Sequence, residues 1–177
     1  MTSDPERLTT ARPLAPLPAQ SGRVLVVDDD AHNRSLLAEW LGAYGHEVKM
    51  AADGPEALLM VERELPDAII LDVMMPGMDG FAVCERLKTN PRTAVVPVLL
   101  LTALHEREDR MRGMRAGAND FLLDPADLPY VLLRVRNAIR LRQLHAEVEQ
   151  RLVEVSHEQQ LRENLLHMIV HDLRTPL

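Results

Sequence analysis

Two kinds of hydrophobic pattern alternate through the middle of the chain. Short runs rich in β-branched and aliphatic residues predict buried strands, and between them apolar residues recur at helical spacing. The predicted strands are 23–27, 46–51, 67–72, 95–102 and 120–123. Helices are predicted around 36–44, 57–65, 79–88 and 105–116, and the run from Asp53 to Glu56 indicates a capping-box start for the second of them.

This alternation predicts one fold class. Strands that are apolar on both faces need helices on both sides, which is the arrangement of a buried parallel sheet. Five successive strand–helix units therefore predict an α/β domain whose five-stranded parallel sheet is doubly wound, with the flavodoxin-like strand order 2-1-3-4-5. We place this domain at residues 23–137.

The two ends of the chain have different patterns. Residues 1–22 contain four prolines and no apolar period, which predicts a disordered tail. From Tyr130 to Thr175 there is neither glycine nor proline. One helix of that length would reach roughly 69 Å at ~1.5 Å per residue, so we expect it to project beyond the sheet domain.

Apolar residues on the projecting part of this helix follow heptad-like steps. They are Leu141, Leu144, Val148, Leu152 and Val155, then Leu166, Ile169 and Leu173. Two successive steps of four at 144–148–152 form a stutter, and Gln159 and Arg162 interrupt the seam. The pattern predicts a coiled-coil helix over 138–165 that forms a homodimer, and the alternative is a single solvated helix.

Composition narrows the class of protein. The net charge of −7 argues against a nucleic-acid partner, and the aromatic content of 3% requires an aliphatic core. The one cysteine, Cys84, cannot pair within the chain, and we interpret it as a small buried residue in a reducing compartment. No apolar run approaches the ~20 residues of a membrane span, and the N-terminus lacks a signal core, so we expect a cytoplasmic protein without a membrane partner.

An acidic cluster marks the expected binding edge of the sheet. Asp28, Asp29 and Asp30 follow the first strand, and Asp72 ends the third. The carboxyl ends of parallel strands form the ligand-binding crevice of such folds, and the first turn has no glycine with which to cradle a phosphate. Carboxylates that converge there would repel one another unless a hard cation such as Mg²⁺ or Mn²⁺ intervened. Asp30 has a second interpretation, as the cap of the first helix.

Four motifs together resemble the receiver domain of response regulators. They are VLVVDDD, DVMMPGMDG, LTA and GANDFL, and the resemblance covers about residues 22–140. It implies that Asp72 is a phosphoacceptor that attacks a phosphohistidine or a small phosphodonor. It further implies that Asp29, Asp72 and the main-chain carbonyl of Met74 hold Mg²⁺, while Asp28 acts through a water molecule.

The resemblance also assigns switch residues, and one position departs from the family. Thr102 would move toward the phosphoryl group, and Phe121 would take the place of the switch aromatic. The family has a lysine where this chain has Asp124, before Pro125. A carboxylate aimed inward there would repel a phosphoryl charge by about 4 kcal/mol at ~4 Å and an effective dielectric of about 20.

Three outcomes are open for Asp124. Its side chain points to solvent, a basic residue from elsewhere compensates, or the domain works without phosphorylation. We expect Mg²⁺ binding to persist while phosphorylation is slow, short-lived or poorly transmitted.

The run VHDLRTPL at the C-terminus resembles the phosphoacceptor box of histidine-kinase dimerisation domains, and we assign 166–177 to the start of such a domain. The resemblance implies that His171 accepts the γ-phosphoryl group of ATP, that Asp172 is a general base and that Thr175 orients water for dephosphorylation of a partner receiver. The heptad phase places His171 two positions from its core neighbours, on the outward face. The alternatives are a metal pair with His167 and a solvated helix end without chemistry.

These features predict a two-component signalling protein, in which a receiver is joined by a helix to the start of a kinase. We expect a fragment of a longer hybrid histidine kinase, because neither an ATP-binding domain nor a second bundle helix follows. The expected partners are a second copy of the chain, a phosphodonor histidine kinase or phosphotransfer protein, and a partner receiver. The alternatives are a non-enzymatic dimeric adaptor that works by docking, and a phosphatase-like enzyme, which would need a second Asp where Met74 stands.

Overall fold

The computed structural model describes residues 21–102, 107–123 and 127–173, the last range without the side chains of 169–173. It contains a five-stranded sheet in the order β2-β1-β3-β4-β5, and every neighbouring pair of strands is parallel. The strands are β1 (Arg23–Val27), β2 (Glu47–Ala51), β3 (Ala68–Asp72), β4 (Val98–Leu101) and β5 (Asp120–Leu122). The predicted fold class and strand order are confirmed.

Five helices connect and follow the strands in the described part of the chain. They are α1 (Ala31–Ala43), α2 (Gly54–Arg63), α3 (Gly80–Thr89), α4 (Arg107–Arg115) and α5 (Leu128–Leu173). Each falls where the periodicity predicts one. The first helix begins five residues earlier than predicted, at Ala31. Among the strands, the largest boundary error is at β4, which begins at Val98 rather than at residue 95. Pro97 has no N–H with which to join the ladder, and Val95 is 56% exposed, so the pairing starts after both.

The core consists of two layers, one on each face of the sheet. Alternate residues of a strand point to opposite faces, so in β1 Val24 and Val26 belong to the layer that contains residues of α1 and α5, while Leu25 and Val27 belong to the layer that contains residues of α2 and α3. Cys84 of α3 is fully buried in the second layer, and burial raises the pKa of its thiol to about 11. It is a small core residue, as predicted.

Aspartates begin three of the helices. The side chains of Asp30, Asp53 and Asp79 accept hydrogen bonds from the first-turn N–H groups of α1, α2 and α3. Glu56 reaches back as in a capping box and accepts the N–H of Ala52, the residue before the cap, at 2.7 Å. The predicted start of α2 and the capping role of Asp30 are confirmed.

The helix α5 has a buried part and an exposed part. Val131, Val135 and Ile139 are fully buried against the sheet, and Arg142 bonds to the Asp67 carboxylate (3.0 Å) at the start of β3. Beyond Arg142 the apolar side chains are exposed; Leu152, for example, is 65% accessible. The long helix is therefore confirmed, and its pairing with a second copy stays a prediction.

Two further expectations concern the N-terminal tail and the absence of a membrane span. Residues 1–20 lie outside the described residues, so the expected tail stays a prediction. Among the described helices, none combines the length and the apolar run that crossing a membrane would require.

A cluster of polar groups without hydrogen bonds lies between α1, β2 and α5. His46 is 5% exposed, and among the described residues there is no hydrogen-bond partner for either of its ring nitrogens, for Trp40 Nε1 or for Arg136 Nε. The Arg136 guanidinium stacks on Tyr44 at 5.6 Å, and Tyr44 contacts Trp40. Burial lowers the pKa of His46, the main chain of Gly22 opposes this effect, and the Arg136 charge adds to it.

We predict that His46 makes the fold less stable in mild acid. Because the folded state disfavours the imidazolium form, unfolding takes up a proton as the pH falls through the ordinary value of 6.5, and the free energy of unfolding decreases from there down to the folded-state pKa. One proton limits the slope to about 1.4 kcal/mol per pH unit. Urea unfolding of the wild type and of His46→Gln across pH 5–8 gives the difference between their free energies of unfolding at each pH. The contributions of the carboxylates cancel in this difference. His145→Gln, an exposed histidine, is the matched control and should keep the wild-type slope.

Candidate functional site

The acidic cluster forms at the carboxyl edge of the sheet. Asp28 follows β1 directly and Asp72 ends β3, and these two strands are neighbours. Oxygen atoms of Asp28, Asp29 and Asp72 all lie within 4.8 Å of one another. The sequence therefore identified correctly which carboxylates come together.

The three carboxylates differ in their surroundings. Asp28 is 2% exposed, Asp72 is partly buried and Asp29 is exposed. The Asp28 carboxylate accepts the N–H of Asp30 at 2.7 Å and a hydrogen bond from the Asn33 side chain. These bonds favour the charged form, but burial outweighs them, so the pKa of Asp28 is raised.

Asp72 has the more strongly perturbed acid group. Burial raises its pKa from 3.8 to about 6, and the neighbouring charges of Asp28 and Asp29 act in the same direction. Hydrogen bonds from the main chain of Met74 and Val73 oppose the shift. The fold thus holds the Asp72 carboxylate where its ionised form is less favourable than it would be in water.

This donor set suits a hard divalent cation. Three carboxylates that converge at one edge present only oxygen ligands, which Mg²⁺ and Mn²⁺ prefer. A bound dication would offset the burial and repulsion that raise the Asp72 pKa. The residues that would hold it are Asp28, Asp29 and Asp72.

The first turn of α1 adds contacts that sequence reasoning missed. Arg34 donates from Nη1 to the main-chain carbonyl of Asp28 at 2.6 Å, and Asn33 bonds to the Asp28 side chain. Both residues lie within one turn of the Asp30 cap. These contacts depend on the orientation of α1 relative to β1. The hydrophobic pattern carries no information on that orientation, so it could not have identified the two residues.

The segment after Asp72 packs tightly against it. The N–H of Gly80 donates to the Val73 carbonyl at 3.1 Å, and a Cβ atom at Gly80 would overlap the main-chain carbonyl of Asp72. Gly77 has φ +80°, a backbone conformation that favours glycine. The glycines of the DVMMPGMDG motif therefore let the chain turn back over the end of β3.

Thr102 lies beside the cluster. Asp72 pairs with Leu101 of β4, so Thr102 is the next residue along the adjacent strand. It is 4% exposed, and its N–H donates to the Leu122 carbonyl at 2.9 Å. Its expected movement toward a phosphoryl group stays a prediction.

Phe121 is one strand further from the cluster, on β5. It pairs with Leu100 and is partly buried against the core layer that contains α3. Gly113 of α4 lies directly over its ring. The structure therefore places the expected switch aromatic beneath α4.

Of three further predicted site residues, the structure describes one, Met74. The Met74 side chain is 66% exposed, its main chain supports the Asp72 carboxylate, and its carbonyl as a metal ligand stays a prediction. Asp124 and Thr175 lie outside the described residues.

The structure does not bring the two candidate phosphoacceptors together within one chain. His171 and Asp172 belong to α5, but their side chains are not among those described. His171 is 32 positions beyond Ile139, the last fully buried residue of α5, which is about 48 Å along the helix axis. Asp72 and the backbone of His171 therefore lie far apart within one chain.

Comparison with known proteins gives matches over the sheet domain. The family model described as response regulator receiver domain matches residues 24–136. The chain is 51% identical over 131 residues to the response regulator PleD of Caulobacter vibrioides, a match covering 74% of this chain and 29% of PleD. It is 42% identical over 118 residues to the transcriptional regulator RpaA of Synechocystis, covering 67% of this chain and 49% of that protein. The chain thus spans less than half the length of these two relatives.

Solved structures show the same fold. A putative response regulator from Chloroflexus aurantiacus is 40% identical, with a TM-score of 0.61 over 68% of this chain and 99% of that one. The signal receiver domain of a signal transduction histidine kinase from Syntrophus aciditrophicus is 34% identical, with a TM-score of 0.64 over 67% of this chain and 90% of that one. With its parallel sheet and the acidic cluster at its carboxyl edge, the chain belongs to the response regulator receiver domain family.

Proposed function

We propose that the receiver domain accepts a phosphoryl group on Asp72 in the presence of Mg²⁺. The observation that carries this proposal is the convergence of three carboxylates around Asp72, a charge arrangement that suits a dication. Asp28, Asp29, Asp72 and the Met74 carbonyl would hold the ion. When bound, the ion would supply positive charge that offsets the repulsion between a carboxylate nucleophile and a phosphoryl group.

The phosphoryl donor would be the phosphohistidine of a histidine kinase or phosphotransfer protein, or a small acyl phosphate. A carboxylate oxygen of Asp72 attacks phosphorus, the bond from phosphorus to the donor breaks, and the donor leaves with that electron pair. Movement of Thr102 and Phe121 would then transmit the effect of the new charge to the face formed by β5 and α4. Thr102 directly follows β4 and Phe121 lies in β5, and these are the two strands that come after β3 in the sheet order, which supports this route.

Asp124 modifies this proposal. It stands where the family has a lysine that pairs with the phosphoacceptor, so an expected cation is replaced by an anion. We propose that Mg²⁺ binding persists and that phosphorylation is slow or short-lived.

The helix α5 carries the second part of the proposed function. We propose that its exposed apolar seam pairs with the same seam of a second copy. The two receivers would then bias the pitch or rotation of one parallel coiled coil. Leu144, Val148 and Leu152 are between 44% and 65% exposed, and their spacing follows the heptad steps. A receiver from a histidine kinase is among the similar solved structures, which supports a place in such a protein.

In a longer parent protein, His171 would be the phosphoacceptor of the kinase, Asp172 its general base and Thr175 the residue that orients water for dephosphorylation. A dimeric adaptor that docks without phosphorylation is the second candidate, and Asp124 is the observation that favours it. The reading frame beyond Leu177 distinguishes the two, since an ATP-binding domain supports the kinase and a stop codon supports the adaptor.

We predict that removing the Asp72 charge stabilises the metal-free fold. At pH 7.5 with chelator, Asp72→Asn should raise the free energy of unfolding by about 1–3 kcal/mol, because a pKa raised from 3.8 to about 6 makes the charged form costly in the folded state. The gain should disappear as the pH falls from 6 to below 4, where the wild-type group is protonated in the folded state and then in the unfolded state as well. Mg²⁺ should raise the Tm of the wild type and leave that of Asp72→Asn nearly unchanged. Asp53→Asn, which removes an exposed charge and keeps a capping oxygen, should respond to Mg²⁺ like the wild type.

We predict that phosphorylation of the receiver domain is slow or short-lived and that Asp124 is the cause. Incubation with acetyl phosphate and Mg²⁺, followed by intact mass measurement, should show slow or transient addition of one phosphoryl group. Asp72→Ala should abolish it, and Asp124→Lys should accelerate or prolong it by roughly tenfold, since it replaces a repulsive charge with an attractive one. Rapid and stable addition to the wild type that depends on Asp72 would contradict the limiting role of Asp124.

We predict a dimer that depends on the seam of α5. Light scattering at micromolar concentration should give twice the mass of one chain for the wild type and one chain mass for Leu152→Lys. Val153 is 69% exposed and one position off the seam, so Val153→Lys should remain dimeric. A wild-type protein that stays monomeric, or equal behaviour of the two lysine variants, would refute pairing through this face.

A further inference from the structure

Arg112 joins α4 to the segment that follows Asp72. Its Nη2 atom lies 2.7 Å from Oδ2 of Asp79, and its guanidinium group lies 4.5 Å above the centroid of the Phe81 ring. Two contacts of different kinds therefore connect one side chain of α4 to the start of α3.

The residues that Arg112 contacts flank Gly80, which is packed against the main chain of Asp72. Oδ1 of Asp79 caps α3 by accepting the N–H of Ala82 at 2.8 Å, which leaves Oδ2 for Arg112. The next residue, Gly80, approaches the Asp72 carbonyl so closely that a side chain could not be placed between them. A displacement of the Asp72 backbone must therefore move Asp79.

The other end of the connection is the switch aromatic. Gly113 follows Arg112, and a Cβ atom there would lie 2.6 Å from the Phe121 ring and 2.9 Å from Leu100. Among the described side chains of α4, residues 108–115, only Gly113 is buried. The helix is thus held at two adjacent positions, one on the Phe121 ring and one on Asp79 and Phe81.

We propose that Arg112 is a positioning residue that couples the segment 72–80 to α4 and, through Gly113, to the Phe121 ring. The proposal rests on the proposed function, because it describes how a change at Asp72 reaches the face formed by α4 and β5. It is a route separate from Thr102, since it passes through α3 and α4 rather than along β4. The Asp79–Arg112 pair is partly exposed, at 34% for the Asp79 side chain and 59% for that of Arg112, so its removal should not unfold the domain.

The two phenylalanines of the chain make this coupling measurable. Phe81 lies at one contact of Arg112 and Phe121 lies at the other end of the route, so incorporation of 4-fluorophenylalanine gives one ¹⁹F NMR signal for each. Phe81→Leu and Phe121→Leu assign the signals. The ligands are Mg²⁺ alone, then Mg²⁺ with beryllofluoride as a phosphoryl-like group, and calorimetry measures their binding separately.

Three single variants, one double variant and one control isolate the contact. Arg112→Gln removes the charge, Asp79→Asn removes the ion pair but keeps an oxygen that caps α3, and Arg112→Lys keeps the charge. Arg110→Gln, an exposed arginine of the same helix, is the matched control. We expect Arg112→Gln and Asp79→Asn to alter the Phe121 signal before any ligand is added and to reduce its ligand-induced shift at least twofold. The double variant should be no worse than either single one, and Arg112→Lys should restore most of the shift.

The outcomes separate the coupling from the proposed function. Ligand binding without any shift of Phe121 in the wild type, or equal shifts in Arg112→Gln and Arg110→Gln, overturns the coupling and leaves the function standing. Absence of binding to the wild type overturns the function. In that case the coupling is tested by the ligand-free spectra. A Phe121 signal that is unchanged in both Arg112→Gln and Asp79→Asn overturns the coupling, and a changed signal supports it.

Discussion

One constraint governs the candidate site: three carboxylates meet at the carboxyl edge of the sheet, and their burial and mutual repulsion carry an electrostatic cost. Parallel strands end on the same side, so the acidic residues after β1 and at the end of β3 must converge once those strands are neighbours. Burial of Asp28 and partial burial of Asp72 make this convergence unfavourable for the chain alone. A stable fold thus maintains a site whose charge is complementary to a dication, and this complementarity gives Asp72 its proposed reactivity.

The packing of α4 and α5 determines where a change at that site can be transmitted. The described part of α4 buries only Gly113, whereas the first turns of α5 are fixed by Val131, Val135 and Ile139. An element with little buried apolar surface can shift at low cost, and one with a buried stripe resists movement. The weakly held α4 and the firmly seated α5 are therefore suited to different roles, the first as a moving element and the second as a rigid connection.

Much of the site could be predicted from the sequence because its residues stand at the ends of strands. Asp28, Asp29 and Asp72 follow from the strand pattern alone, since parallel topology brings such positions together. Arg34 and Arg112 could not be predicted in this way. Each acts through a contact that depends on the angle at which a helix leaves the sheet, and hydrophobic periodicity carries no information on that angle.

The sequence by itself determined the order of the elements, the two-sided burial of the sheet, the caps at Asp30 and Asp53 and the length of α5, because these depend on local spacing and on which faces are apolar. Only the tertiary structure decided that Gly80 rests on the Asp72 main chain, that Phe121 fills the space over which Gly113 passes, and that the burial of α5 stops near Arg142. Those features depend on distances between residues far apart in the chain, and they are settled by how closely the elements pack rather than by the pattern within any one of them.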